Sequence, residues 1–469
     1  MGELSLQMAL VGGLPASIPT GATRTVRLRL LPSGSQEHRL RRMARLFAKC
    51  WNEITYERRQ RFFNRQGVDL RSTYKKYYEL YKPFLGSANV RQLLNMNDEA
   101  WKSFFKLLRL RKEGRLPPYI RPRPPGYWKD RVLGINKLLI VVRSDRYYIE
   151  PVSDGEGFIV LKDYRLRIRF AGRIKWEGKQ GRLIIKYEFG RWFAYVPIEV
   201  GEPAPKSNRK GYVKPNHRDK RIVNPALIRQ REPIGREKAF IDIGLNNLFA
   251  VTTTNGYAIL VKGGSIKSEY YYWKREIALW QSIRDRLRNW GLPNWQYFHR
   301  LYLKAVFKRN ERLRHLYRTA IRFIADELWR LGIDEVFIGY PYGVSHDNGN
   351  EYNTNIWWYN KIARWLAEVL EEYGIRAHLV DESYTSKMCS ICGDVHENGR
   401  VHRGLYVCEK TGRTINADIN ASLNIARRGG YNVVLKYKIM SYQVTSNGVR
   451  PLIPRQGANA RDLRYNPTP

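Results

Sequence analysis

Strict alternation is the first pattern in the chain. Across residues 25–30, Val26, Leu28 and Leu30 face one way while Arg27 and Arg29 face the other, which predicts a strand buried on one side and basic on the other. The period then changes. Leu40, Met43, Ala44, Phe47 and Trp51 recur at helical spacing, and Arg39, Arg41, Arg42 and Arg45 cover the remaining faces. Helical character with interleaved basic and aromatic residues continues to about Arg111. Prolines at 117, 118, 122, 124 and 125 exclude helix from residues 116–127 and predict a rigid extended connector. From about 134 to 200 the period is two again: Leu166, Ile168 and Phe170 alternate with arginines, and runs at 183–189 and 192–196 flank Gly190 and Arg191 as a hairpin. These short strands predict a small β-barrel, completed by the strand at 25–30. Residues 201–235, rich in Pro, Lys and Arg, read as a linker. Beyond it the rhythm is α/β: strands at 238–243 and 248–253, long helices between 268 and 331, a strand at 335–338, a helix at 356–373 and a strand at 375–381. No internal repeat is visible.

Composition adds one strong constraint. The 469 residues carry 83 Lys plus Arg against 43 Asp plus Glu, a formal net charge of +40. Such self-repulsion points to a polyanionic partner, with nucleic acid first and an anionic membrane surface as the alternative. No apolar run reaches the length of a membrane span. The apolar stretch 9–16 is broken by Gly12, Gly13 and Pro15 and lacks a basic preamble, so a flexible leader is expected rather than a secretory signal. Of four cysteines, Cys389, Cys392 and Cys408 crowd together, which argues for a metal site in a reducing, cytoplasmic setting rather than a disulfide framework. Cys50 falls on the apolar face of the first helix and reads as core.

Two carboxylates stand out. Asp242 is alone in the apolar run 240–244 (Phe-Ile-Asp-Ile-Gly), where a buried acid costs free energy unless it is paired or binds a metal. Asp418 opens a helix in the run 416–421 (Asn-Ala-Asp-Ile-Asn-Ala), either as a carboxylate favoured by the helix dipole or as a second metal ligand.

The block 240–428 resembles the RuvC-like domain of the TnpB family, the insertion-sequence-encoded relatives of type V CRISPR effectors. The runs 241–244, 384–387 leading into 389–393, and 416–421 carry the resemblance, which is more diffuse upstream at 26–51 and 117–128. It implies a multidomain α+β protein, with an RNase H-like (RuvC-like) α/β domain holding a zinc-knuckle insert and a small β-barrel holding a helical bundle. The expected layout is a leader at 1–22, a barrel from 23–34 and 130–225, and a helical recognition domain with its connector at 35–129. A nuclease domain follows from 226–384 and 413–430, with the knuckle at 385–412 and a basic C-terminal tail at 431–469.

The activity implied is RNA-guided cleavage of double-stranded DNA, nucleoid-associated, by hydrolysis with two Mg²⁺ ions. A guide RNA paired with target DNA would lie in a basic channel between two lobes and be recognised by its shape and backbone. Asp242 and Asp418 match the first and third acidic positions. The second departs from the family: Gly339 stands where a Glu is expected, at the end of the strand 335–338. Either the chain binds without cutting, or Glu382 has taken over from the end of the neighbouring strand, with Asp381 turned to the opposite face. Asp347 and Glu351 are weaker substitutes. In the knuckle the fourth cysteine position is Thr411, so either His396 or His402 completes a zinc site beside Cys389, Cys392 and Cys408, or the knuckle is vestigial and metal-free, held by its neighbours. Arg39, Arg42, Arg45, Arg58 and Arg59 are expected to grip nucleic acid, and the aromatic run 270–273 either stacks on bases or joins the core. A nuclease-dead guided repressor or transposon accessory protein, and a transposase using the same carboxylates for strand transfer, are the alternatives.

Overall fold

A computed structural model describes residues 16–17, 23–116, 120–130, 132–176, 178–200, 230–340, 356–382, 385, 387–402 and 404–452. The chain divides into two compact units, Gly21–Leu227 and Met1–Thr20 with Ile228–Pro469. A two-residue strand, Ala16–Ser17 (β1), belongs to the latter.

In the unit Gly21–Leu227, the alternating run becomes β2 (Thr23–Leu31), with Leu28 and Leu30 fully buried. A capping box then starts α1 (Gly34–Phe63): the Ser33 side chain accepts from the Gln36 amide while the Ser33 amide donates to the Gln36 side-chain oxygen. Such a cap is worth about 1 kcal/mol. The apolar face of α1 packs inward through Leu40, Phe47 and Ile54, with Cys50 among them as expected. Two more helices follow, α2 (Leu70–Leu85) and α3 (Ser87–Lys112), and the described part of the proline connector has neither helix nor strand. The remaining strands are β3 (Leu139–Val142), β4 (Tyr147–Ser153), β5 (Glu156–Leu161), β6 (Leu166–Ala171), β7 (Lys179–Gln180), β8 (Leu183–Glu188) and β9 (Arg191–Glu199).

The hydrogen-bonded order β3-β8-β9-β2-β6-β5-β4 puts β3 and β4 at opposite edges, although only residues 143–146 separate them in sequence. Six flat strand spacings would hold those edges about 29 Å apart. Five residue steps reach at most about 18 Å. The sheet therefore curls into a barrel, and Tyr147 at the start of β4 donates to the Gly181 carbonyl beside β7 at 2.9 Å.

The second unit is built on another sheet. Its strands are β10 (Glu237–Asp242), β11 (Asn247–Thr253), β12 (Ala258–Lys262), β13 (Ile333–Tyr340) and β14 (Arg376–Asp381), with α4 (Gly264–Asn289), α5 (Trp295–Arg330) and α6 (Tyr359–Glu372) between them. β10, β11 and β12 run antiparallel, whereas β13 pairs parallel with both β10 and β14. A small hairpin, β15 (Leu405–Val407) and β16 (Thr414–Asn416), leads into α7 (Ala417–Arg428).

The sheet is covered on both faces, and alternation along the strands assigns each residue a side. Ile241, Ile338 and Leu379 pack with Leu313, Ile324 and Leu366 of α5 and α6, while Phe240, Phe337 and Val380 pack on Ile425 of α7. Continuing the alternation sends Asp242, Gly339 and Glu382 to the α7 face. The core of the α5/α6 face includes Tyr270, so that part of the aromatic run is interior, whereas Tyr272 is exposed.

Two expectations about the ends change. The segment 431–469 is not simply a tail: β17 (Met440–Thr445) lies parallel to β12 and is followed by β18 (Gly448–Pro451), which extend the sheet. The sequence hid this because Met440, Tyr442 and Val444 form too short an alternation to stand out without their parallel partner. Within the expected leader, β1 pairs with Leu379 and His378 on the edge of β14. Most of the linker 201–235, together with Asp347, Glu351 and their Asn-rich loop, falls outside the described residues. No described helix is long and apolar enough to cross a membrane.

Candidate active site

Three carboxylates converge at the C-terminal ends of β10 and β14 and the start of α7. Asp242 closes β10 and is half-buried. Asp418 lies in the first turn of α7 and is only 8% exposed. It does not cap that helix: Asn416 does, accepting from the amides of Asp418 and Ile419, which leaves the Asp418 carboxylate available. Glu382 follows β14, its amide donating to the Tyr340 carbonyl at 3.2 Å.

Gly339 explains how Glu382 reaches the cluster. β13 and β14 are neighbours with Gly339 opposite Val380 and Tyr340 opposite Asp381. A Cβ built on Gly339 would stand 2.5 Å from Ile425 Cδ1 and 3.0 Å from Glu382 Oε2. The space that a side chain at 339 would need is thus taken by Ile425 and, beside it, the carboxylate of Glu382. Asp381 contacts Arg428 instead.

The electrostatics are those of an acidic cluster only partly neutralised, by Arg400. Burial, then the Asp418 carboxylate, push Asp242 up to about 7, against a smaller opposing pull from Arg400. Glu382 is held well above the usual carboxylate range by burial, by Asp242 and by Asp381. Asp418 accepts from Asn247 Nδ2 at 2.5 Å and from Arg400 Nη2 at 3.0 Å. Glu382 Oε2, Asn247 Oδ1 and Tyr359 Oη are buried with no hydrogen-bond partner among the described residues. Converging buried carboxylates with an orphaned oxygen are costly unless a cation joins them, and an all-oxygen donor set suits Mg²⁺.

The second cluster lies in the insert. Ligand atoms of Cys389, Cys392, His396 and Cys408 all fall within 4.8 Å of one another. A tetrahedral zinc site with 2.3 Å Zn–S bonds would separate its sulfurs by about 3.8 Å, so the group fits. His396 Nε2 lies 3.2 Å from Cys392 Sγ and 3.7 Å from Cys408 Sγ, and the Glu409 carboxylate stands 3.7 Å from its Nδ1. That carboxylate favours a proton on Nδ1 and leaves Nε2 free to ligate. Thr411 is not a ligand here: its hydroxyl hydrogen-bonds the Cys408 sulfur and, with His396, draws that thiol down to about 6. His402 stays outside the cluster, in a bridge with Leu405.

The insert and the acidic cluster are joined through α7. Asn420 donates to the Met388 carbonyl and accepts from the Ser390 amide, and Arg427 donates to the carbonyls of Cys389 and Ser390. From the same insert Arg400 reaches Asp418. Sequence reasoning missed Arg400, Asn247 and Tyr359. Asn247, a lone amide opening an apolar strand, carried a signal of the same kind as Asp242; Arg400 carried none.

The basic residues of α1 divide. Arg42 and Arg45 are exposed, and Arg39 is exposed with one bond to the Tyr164 carbonyl. Arg59 stacks near Phe63 and Tyr127 and donates to the carbonyls of Pro124 and Pro125. Arg58 is a correction. It is fully buried, paired with Asp98 at 2.7 Å and bonded to Thr73, Asn97 and the Leu70 carbonyl, so it fastens the three helices and has no face for nucleic acid.

Comparison with known proteins bears on both clusters. A family model described as "Probable transposase" matches residues 196–345, and one described as "Cas12f1-like, TNB domain" matches 359–425. A "TnpB-like protein ORF457" of Acidianus two-tailed virus is 39% identical over 438 residues, covering 92% of each chain. A "CRISPR-associated endodeoxyribonuclease Cas12f1" of Sulfoacidibacillus thermotolerans is 35% identical over 80 residues, 17% of this chain and 19% of that one. The solved Cas12f1–sgRNA–target DNA complex aligns with a TM-score of 0.48 at 14% identity, covering 87% of this chain and 99% of that chain.

Proposed function

Since the chain belongs to the TnpB family, we propose that it is an RNA-guided DNA endonuclease whose middle acidic ligand is Glu382. One observation carries the reading: the Glu382 carboxylate lies, beside Ile425, against the space over Gly339 and shares a cluster with Asp242 and Asp418. A chain that had merely lost its glutamate would have no acid there. Here a carboxylate from the end of the neighbouring strand stands 3.0 Å from where a Cβ at 339 would lie.

Asp242, Glu382 and Asp418 would hold two Mg²⁺ ions, which supply a polarised water and charge stabilisation for an in-line displacement at phosphorus. The residues themselves do the positioning. Asn247 and Arg400 fix the two oxygens of Asp418, and α7 ties that carboxylate to the insert. Arg400 neutralises part of the cluster through its contact with Asp418. Cys389, Cys392, His396 and Cys408 would hold zinc and thereby order the segment that presents Arg400. The surplus of 40 positive charges and the exposed Arg39, Arg42 and Arg45 suit a guide RNA and its DNA target.

The second reading, a transposase, is favoured by the description of the family model over 196–345, since such carboxylates serve transesterification equally well. One assay separates them: the purified RNA complex is given a supercoiled plasmid carrying the matching target, with Mg²⁺. Guide-dependent linear product supports the nuclease. Joined ends would establish the transposase, and binding without any product would make the protein a guided repressor.

A further inference from the structure

Tyr359 heads α6 and is 8% exposed, its ring edge-on to Tyr340 at 5.3 Å and to Trp357 at 5.2 Å. Its hydroxyl is buried and has no partner among the described residues. The Glu382 oxygen Oε2 is in the same condition. One group is a donor lacking an acceptor and the other an acceptor lacking a donor, and both adjoin Tyr340, whose ring meets Tyr359 and whose carbonyl takes the Glu382 amide. Burial, then the carboxylates of Glu382 and Asp242, raise the phenol well above its usual range, so it remains a donor at every working pH. A buried unpartnered hydroxyl costs stability that a phenylalanine would not. Its presence beside a metal-binding cluster calls for a use.

Glu382 has a need that matches. It lies one residue past the end of β14 (Arg376–Asp381), so strand pairing does not fix it. Its backbone is held by the Tyr340 carbonyl and by two bonds from Thr385 to its own carbonyl. Its side chain is bounded by the space over Gly339 and Ile425, and no bond from a described residue fixes its Oε2.

We propose that the Tyr359 hydroxyl is the positioning group for Glu382, donating to the carboxylate oxygen that faces away from metal when the site is loaded. The inference rests on the reading of Glu382 as the middle ligand. It adds a pairing that sequence reasoning did not supply, in which a relocated carboxylate is oriented by a phenol from the opposite side of the sheet. Tyr359 touches no reacting atom in this scheme and acts through Glu382.

The test is Tyr359→Phe in the full-length protein, which keeps the ring and its packing and removes only the oxygen. Binding of Mn²⁺ to RNA-free protein is followed by loss of the free-ion paramagnetic signal, and thermal unfolding is recorded without metal. The expected result is an unfolding temperature at least as high as wild type together with Mn²⁺ binding weakened about 10-fold or more, the usual consequence of losing a supporting hydrogen bond. In the RNA complex, the Mg²⁺ concentration for half-maximal cleavage rises by a similar factor while the rate at saturating Mg²⁺ changes less. Asp242→Ala and Glu382→Ala are measured alongside. If those two weaken Mn²⁺ binding and Tyr359→Phe binds like wild type, Tyr359 is ordinary core and the inference is overturned. If neither alanine variant alters Mn²⁺ binding, it is the assignment of the metal site that falls.

Discussion

Gly339→Ala is the smallest change that puts the relocation of the glutamate to the test. The added methyl would stand 2.5 Å from Ile425 Cδ1, 3.2 Å from Ile425 Cγ1 and 3.0 Å from Glu382 Oε2. Carbon atoms in good contact lie about 3.5–4.0 Å apart, so the Ile425 terminus must retreat by roughly 1 Å, whereas Glu382 Oε2 need give only slightly. The helix carrying Ile425 is pinned by Ser422 donating to the Phe240 carbonyl and by Asn424 donating to the carbonyls of Thr385 and Met388, so Ile425 must yield by turning its side chain. Glu382, whose Oε2 has no partner among the described residues, gives way at its carboxylate. Overpacking of this size costs about 1–3 kcal/mol, equivalent to a fall of roughly 2–10 °C in unfolding temperature for a unit of this size. A ligand displaced by about 1 Å would lower the cleavage rate by about 10²-fold, so the smaller shift of Glu382 lowers it by less than that. Adding Ile425→Val removes the Cδ1 atom and returns much of the lost stability, yet it leaves Glu382 displaced and cleavage slow. Thermal unfolding and single-turnover cleavage of both variants read the two effects separately. If Gly339→Ala melts and cuts like wild type, Glu382 does not occupy that space and the reasoning fails.

Other consequences follow from the same geometry. Because the folded-state pKa of Asp242 is raised to about 7, the native state holds a proton that the unfolded chain releases near pH 4. Without divalent metal this carboxyl therefore makes the protein less stable as pH rises from about 4 to 7, and unfolding of Asp242→Asn followed across that range shows a shallower decline. Metal binding must displace the same proton, so Mn²⁺ affinity climbs through the same window and levels off above it. For the knuckle, elemental analysis gives one zinc per chain in wild type and a loss in His396→Ala, whereas Thr411→Val retains the metal; zinc kept by His396→Ala would remove that residue from the ligand set. On α1, Arg58→Ala costs about 3–5 kcal/mol, as expected when one partner of a buried ion pair is deleted, with the loss read in denaturant unfolding. Arg42→Ala leaves stability unchanged but lowers the salt dependence of RNA binding by about one charge.

The parts of the fold legible in the sequence are those with a strong local period. The strand at Val26, Leu28 and Leu30, the α1 stripe and the hairpin at Gly190 and Arg191 all emerge, the strand ends falling within about three residues of the expected ones. Strands β12, β17 and β18 did not, because each is short and depends on a partner from elsewhere in the chain. The site shows the same division. Asp242 and Asp418 declare themselves as acids in apolar surroundings, and strand alternation suffices to put Glu382 and Gly339 on one face. Arg58 misled because a cation among cations on a helix reads as surface; its burial depends on Asp98 and Asn97, which only the packing of three helices brings to it. Arg400 reaches Asp418 from the insert, and no spacing in the sequence encodes that meeting.

The most direct test of the central claim compares two adjacent carboxylates. Glu382→Ala and Asp381→Ala are assembled with guide RNA and assayed for binding and cleavage of matched DNA in Mg²⁺. Glu382 lies over Gly339, while Asp381 lies beside Arg428. The account predicts that both variants bind the target, that Asp381→Ala cuts at close to the wild-type rate, and that Glu382→Ala does not cut. Cleavage by Glu382→Ala at the wild-type rate would contradict it.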